Sequence, residues 1–153
     1  MGVDVVRVRR LAVVLFAALL AGCYSFAEPS FHPGDPRDVL VEMTRRGVEV
    51  ESSVAGASAC ADPGLVGNVV HLVVTVPSDP TPRDVYLYTF RSRSWEGSQA
   101  AVDACQAEYA ASNPGADVIR VDVPTYRVLG LDWSDELTTI VRDALEEAST
   151  QGE

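Results

Sequence analysis

Two neighbouring stretches rich in valine and aromatic residues limit the folds that this chain can adopt. The first, at residues 66–76, contains the run NVVHLVVTV and ends at Pro77; the second, at residues 85–91, is VYLYTFR. Such a density of β-branched and aromatic residues is typical of strands, and the loop SDPTPR between the two stretches contains two prolines. We therefore predict that the two stretches pair as a β-hairpin.

The segments around this hairpin predict helices and further strands. Asp35 and Pro36 fit the N-cap and first position of a helix that ends at Gly47. Strands are predicted at residues 48–54 and 118–123, with extended chain at 126–131, and helices at 94–112 and after Ser134. The element order α-β-β-β-α-β-α predicts an α+β fold: a mainly antiparallel sheet of about four strands with helices packed on one face.

The last helix has the clearest apolar stripe in the chain. Its members recur at helical spacing: Leu137, Ile140, Val141, Ala144, Leu145 and Ala148. A stripe of this width has to cover a sheet or another helix.

The first residues of the chain form a pattern typical of a bacterial export signal. Arg7, Arg9 and Arg10 precede the uncharged run LAVVLFAALLA at residues 11–21, and small residues follow this run. The run is too short for a membrane-spanning helix, which needs ~20 apolar residues. We therefore expect this segment to direct export.

The four residues that close this run, LAGC at positions 20–23, resemble the lipobox of bacterial lipoproteins. The resemblance implies a diacylglycerol thioether on Cys23, cleavage after Gly22, and acyl chains such as palmitate that hold the protein at the outer face of the cell membrane. It divides the chain into a signal peptide (1–22), a lipidated tether (23–34) and one globular α+β domain (35–153). All 12 basic residues are arginine, which favours a G+C-rich genome and suggests an actinobacterial lipoprotein.

The composition is that of a globular protein with an acidic surface. The hydrophobic fraction is 47%, the charged fraction is 22% and the net charge is -10. Removal of the signal, with three arginines and Asp4, would bring the net charge to about -12. Such a surface repels nucleic acid and anionic headgroups, so we expect no nucleic-acid partner and a membrane attachment that depends on the lipid.

Two cysteines remain once Cys23 is assigned to the lipid. Cys60 lies in a loop, and Cys105 lies on the apolar side of a predicted helix. An exported chain with an even number of remaining cysteines favours a disulfide, and this bridge would close a loop of roughly 45 residues, worth about 4 kcal/mol. The alternatives are a buried pair of free thiols or a metal site. A metal is disfavoured because neither histidine has ligand spacing to a cysteine.

The sequence contains no established catalytic or nucleotide-binding motif. A nucleophile elbow, a phosphate-binding loop, a zinc-binding H-E-x-x-H and a dinucleotide fingerprint do not occur, and His71 is the only histidine of the domain. We therefore expect a non-enzymatic protein without cofactor or metal. The alternatives are a small envelope enzyme that uses His71 and a purely structural envelope component.

Strand alternation nominates one candidate binding surface. If helices cover one face of the sheet, the other face presents a polar and aromatic set: His71, Thr75, Tyr86, Tyr88, Arg120 and Asp122. Tyrosine and arginine are enriched where proteins bind partners, so we predict that this set binds an envelope protein or a ligand. The alternative is that both tyrosines lie in the core, with their hydroxyls satisfied at its rim.

Overall fold

The computed structural model describes residues 34–150, apart from the side chains of residues 92 and 93. Its centre is a five-stranded antiparallel sheet with the order β1-β2-β3-β5-β4. The strands are β1 (Glu49–Ala55), β2 (Val69–Val76), β3 (Asp79–Thr89), β4 (Val118–Val123) and β5 (Tyr126–Leu131). The predicted signal peptide, almost all of the tether and the lipid attachment at Cys23 lie outside the described residues.

Helices precede, separate and follow these strands. They are α1 (Pro36–Arg45), α2 (Pro63–Val66), α3 (Ser92–Trp95), a 3-10 turn (Glu96–Ser98), α4 (Gln99–Ser112) and α5 (Asp135–Thr150). The start of α1 agrees with the sequence prediction, because the amide of Arg37 donates to the Asp35 carboxylate at 2.9 Å. Gly47, whose φ is +92°, follows the end of α1 in the left-handed conformation that glycine adopts without strain.

The predicted α+β class and antiparallel sheet are confirmed, but the strand count was too low. Residues 126–131, predicted only as extended chain, form β5 and pair with β3 on one side and β4 on the other. The chain reverses at Pro124 and Thr125, and Thr125 has a φ of +71°. This tight turn returns β5 beside β4, so β4 occupies the edge of the sheet and β5 the interior.

The central hairpin is longer than predicted. Its turn consists of Pro77 and Ser78, and β3 already begins at Asp79. Pro80 and Pro82 therefore lie within a strand, which the sequence pattern disfavours. They are tolerated because β3 pairs with β5 only from Val85 onward, and because the pairing with β2 is irregular between Val74 and Val76.

Two helical predictions were wrong in detail. A short helix, α2, precedes β2 where the sequence predicted an irregular loop and the first residue of the strand; the Asp62 carboxylate caps it by accepting from the Gly64 amide at 2.7 Å. The helix predicted over residues 94–112 is interrupted by the 3-10 turn that contains Gly97. Gly97 weakens a regular helix at this point.

The prediction that helices pack on only one face was wrong. On the first face, α1 and α5 cover a core built from valine and leucine side chains of the sheet, including Leu72, Val74 and Leu87. The stripe of α5 faces this core as predicted, with Ile140 at its half-buried margin.

The second face carries a smaller core beneath α4. Tyr88 and Leu129 of the sheet, and Phe90 directly after β3, pack there with Val102 and Cys105 of the helix. This face had to be covered because β3 and β5 present large apolar side chains on both of their sides. The coverage is partial, and the uncovered part positions the candidate site.

Candidate binding surface

The uncovered part of the second face lies over β1, β2 and the first half of β3. Directly opposed residues in antiparallel strands share a face. Thr75 of β2 lies opposite Glu49 of β1. Val73 of β2 lies between Ser52 of β1 and Asp84 of β3, and His71 of β2 lies between Val54 of β1 and Tyr86 of β3. We name the exposed and half-exposed members of this set the His71 shelf: Glu49, Ser52, Val54, His71, Val73, Thr75 and Asp84. Among the described residues, no helix covers it.

His71 is held between a carboxylate and an aromatic ring. Its Nε2 atom lies 2.6 Å from Asp84 Oδ1, and its ring stacks on Tyr86 with centroids 4.5 Å apart and planes inclined by 10°. The His71 side chain is 21% exposed and that of Asp84 is 49% exposed. The hydrogen bond to Asp84 and the stacking on Tyr86 therefore fix the orientation of the imidazole, while the Asp84 carboxylate remains accessible to a ligand.

Two tyrosines form the wall where the shelf meets α4. The ring of Tyr109 meets that of Tyr86 edge to face, with centroids 5.4 Å apart. Burial raises the pKa of Tyr109, and the neighbouring Tyr86 and Asp84 raise it further. Burial, followed by the charge of Asp84, likewise raises the pKa of Tyr86. Both phenols therefore stay protonated and can donate hydrogen bonds at neutral pH.

Tyr88 does not belong to the surface, and its prediction as an exposed binding residue was wrong. It is fully buried beneath α4. Its hydroxyl lies 3.0 Å from Ser58 Oγ and accepts from the Ala59 amide at 3.1 Å, so it fastens the loop before α2 to the sheet. The alternative interpretation, a core tyrosine with a satisfied hydroxyl, describes this residue.

Cys60 and Cys105 meet close to Tyr88. Their Cα atoms are 5.3 Å apart and their sulfurs are bonded, as the sequence predicted. The bridge joins the same loop to α4, so it closes the covered half of the second face.

Arg120 and Asp122 point to the predicted face but bind within the protein. The Arg120 guanidinium contacts Asp122 at 2.8 Å and Asp103 of α4 at 2.6 Å. Hydrogen bonding to Arg120 lowers the pKa of the Asp103 carboxyl. These two residues therefore attach α4 to the edge of the sheet; they share a face with His71, but β4 lies three strands away from β2, so they are not part of the shelf.

A buried arginine extends this network. Arg127, 2% exposed, lies opposite Tyr88 in β5 and donates to Asp122 at 2.8 Å. Its guanidinium also stacks on the Trp95 ring, 3.7 Å from the centroid. This role is not apparent from the sequence, because an arginine in a strand next to a turn is typical of the surface.

Thr75 lies at the far end of the shelf, beside a small cleft. The cleft has a volume of about 190 Å³ and is lined by Gly47, Glu49, Thr75, Val76, Pro77 and Pro80. Pro77 and Pro80 contribute to its wall, and Glu49 is the charged residue in its lining. The described part of the chain supplies no ion pair or hydrogen bond to the Glu49 carboxylate.

Sequence reasoning missed Glu49, Asp84 and Tyr109 as members or neighbours of the site. Asp84 could have been found, because it precedes Tyr86 by two positions and therefore shares its face if β3 starts early enough. Tyr109 is a buried residue of α4 that contacts Tyr86 at the border of the shelf. Glu49 lies in a predicted strand, and nothing in the sequence shows the cleft beside it.

The pair of His71 and Asp84 also resembles part of a catalytic arrangement. A histidine–carboxylate pair is two thirds of a hydrolytic triad, but within residues 34–150 no hydroxyl or thiol is hydrogen-bonded to His71. The same described residues contain no group of three or more histidine, cysteine, aspartate or glutamate side chains that could hold a metal ion.

The comparisons with known proteins do not assign a family. No family model matches the chain, and no curated protein and no solved structure matches it. Among residues 34–150, none of the helices combines the length and the apolar character that crossing a membrane requires.

Proposed function

We propose that this protein is a lipid-anchored lipoprotein of the cell envelope that binds a partner through the His71 shelf. The anchor rests on the lipobox-like LAGC with its apolar run. The observation that carries the binding function is the half-exposed His71, stacked on Tyr86 and paired with Asp84 on a sheet face that the described helices leave open. Preoriented aromatic and charged groups lose little side-chain entropy on binding, which favours a recognition surface.

Site-specific photo-crosslinking in cells tests this function. A benzophenone amino acid at Val73, in the middle of the shelf, should give a discrete crosslinked species. The same amino acid at Val41, 41% exposed on α1, is the matched control and should give none. Addition of His71→Ala to the Val73 reporter should reduce the crosslink. Equal crosslinking from both positions, or none from Val73, would contradict the proposed surface.

A small envelope enzyme is the second candidate, because the 2.6 Å pair of His71 and Asp84 could act as a general base. Such an enzyme would need a nucleophile for this base to activate, either a hydroxyl group of the substrate or a water molecule. The two functions differ in their response to His71→Gln, which keeps a polar side chain of similar reach but cannot shuttle a proton. Binding should survive this substitution with a modest loss, whereas a hydrolytic activity should fall by a factor of about a hundred or more.

A further inference from the structure

We propose that the His71 shelf binds an extended cationic polypeptide segment, with one basic side chain at Glu49 and a second at Asp84. This inference rests on the proposed binding function and adds the chemical class of the partner. It follows from the charge of the shelf, the shape of the cleft and the spacing of the two carboxylates.

The cleft at Glu49 fits the side chain of arginine or lysine. Such a side chain has an aliphatic stem and a charged head, and it buries the stem wherever apolar surface is offered. Pro77 and Pro80 provide that surface in a cleft of about 190 Å³. The Glu49 carboxylate provides the charge, and the described residues leave it without an ionic partner.

Asp84 provides the second point of attachment. Its side chain is 49% exposed, and its contact to His71 uses Oδ1, so Oδ2 has no hydrogen-bond partner among the described residues. The last turn of α4 lies beside it at Tyr109, and the end of a helix adds partial negative charge. Apart from His71, the ionisable side chains of the shelf are the two carboxylates of Glu49 and Asp84.

The geometry of the sheet sets the distance between the two points. Glu49 opposes Thr75 and Asp84 opposes Val73, so the carboxylates lie two strands apart and are offset by two residues. With ~4.8 Å between strands and ~3.3 Å per residue, the two positions are separated by about 12 Å. An extended segment covers this distance in about four residues, across a floor of Val73 and Thr75.

A second copy of this chain is a poorer occupant. The chain carries a net charge of -10, and β1, the strand that borders the shelf, contains Glu49 and Glu51. Two copies would bring like charges together, which opposes association. A basic segment gains from the same charge.

Binding of a defined peptide to the full acylated chain in detergent micelles tests this inference. The probe is a fluorescein-labelled, uncharged nine-residue peptide of glycine, serine, threonine and valine with arginine at its third and seventh positions. Glu49→Gln and Asp84→Asn should each weaken binding by up to about fivefold at low salt, the range of an exposed ion pair. Asp143→Asn, which changes the charge equally on α5, is the matched control and should leave the affinity unchanged.

Several results would overturn the inference. Equal weakening by Asp143→Asn would show general attraction to an acidic protein, and equal binding of a peptide with glutamine in place of arginine would exclude charge recognition. Equal binding of a peptide with adjacent arginines would exclude two-point attachment. A dimer in sedimentation that Val54→Glu dissociates would identify a second copy as the occupant. If the peptide fails to bind while the Val73 crosslink persists, the cationic partner is wrong and the proposed binding function stands; loss of both rejects both.

Discussion

Close packing at single residues explains parts of the sequence that periodicity leaves unexplained. Gly130 lies in β5 against the ring of Trp133, and the Trp133 indole donates to the carbonyl of Asp84 at 3.0 Å. A side chain at Gly130 would occupy the space of that ring. This glycine is therefore required by the approach of a neighbour, since its backbone is that of an ordinary strand residue.

Gly130→Ala should destabilise the protein by about 1–3 kcal/mol, because the Trp133 ring has to move to admit the new methyl group. Urea unfolding measures the loss. Gly97→Ala is the matched control, since a Cβ atom there meets open space, and it should be neutral or slightly stabilising. Equal free energies of unfolding for the two variants would show that the Trp133 packing is not as described.

Buried tyrosine hydroxyls give the protein a sensitivity to alkali. Burial raises the pKa of Tyr86, Tyr88, Tyr109 and Tyr126 in the folded state above the ordinary value of about 10. The folded protein therefore retains protons that the unfolded chain releases. Stability from this source is fully present below pH 10 and is lost as the pH rises toward the folded-state values.

The free energy of unfolding should accordingly fall above pH 10, by up to about 1.4 kcal/mol per pH unit for each tyrosine that remains protonated. Chemical unfolding at successive pH values, with phenolate absorbance as a second readout, measures this. Tyr109→Phe keeps the ring contact to Tyr86 and should make the decline less steep. An unchanged slope in that variant would show that Tyr109 titrates normally.

At the scale of elements, the second face is held by covalent and ionic links in addition to a small apolar core. The disulfide joins the loop before α2 to α4, and the arginine network joins α4 and the 3-10 turn to β4 and β5. The first face needs neither, because α1 and α5 bury a larger apolar core there.

Removal of the disulfide by Cys60→Ala and Cys105→Ala together should lower the free energy of unfolding by about 4 kcal/mol, as expected for a link between residues 45 positions apart. Guanidinium unfolding with and without a reductant measures the effect. The reductant should destabilise the wild-type protein and leave the double variant unchanged. A wild-type midpoint that is insensitive to reductant, together with free thiols by mass spectrometry, would contradict the bridge.

At the scale of the whole molecule, the proposed anchor and the acidic domain have separate tasks. The net charge of -10 disfavours adsorption to anionic membranes, so the proposed attachment relies on the acyl chains proposed for Cys23. In the same proposal, the domain presents the carboxylates of its shelf to a basic partner.

Cys23→Ala should abolish palmitate incorporation and release the protein from the membrane fraction, because LAGC provides the single lipobox-like thiol of the sequence. Metabolic labelling and fractionation measure both effects. The double Cys60, Cys105 variant is the matched control, since it removes two thiols and should retain the label. Label that persists after Cys23→Ala would reject the anchor.

Local patterns of the sequence determined the class of fold and several of its parts. Alternation identified the strands, and the Asp35 cap and Gly47 identified the two ends of α1. The apolar stripe of α5 identified its buried side. These predictions were possible because each signal lies within one element or its immediate neighbours. The pairing of Cys60 with Cys105 followed from counting alone. The lipid anchor at Cys23 stays a prediction from the same kind of local signal.

Only the tertiary structure decided which surfaces remain open. The alternation that grouped Tyr88, Arg120 and His71 on one face was correct, yet α4 buries Tyr88 and binds Arg120 through Asp103, whereas His71 lies on the part of that face without a helix above it. The place of α4 depends on contacts between residues far apart in sequence, such as Asp103 with Arg120, and on the insertion of β5 between β3 and β4. The two-residue alternation of a strand specifies to which face of the sheet a side chain points. Whether another element covers that side chain depends on the packing of elements that are distant in sequence.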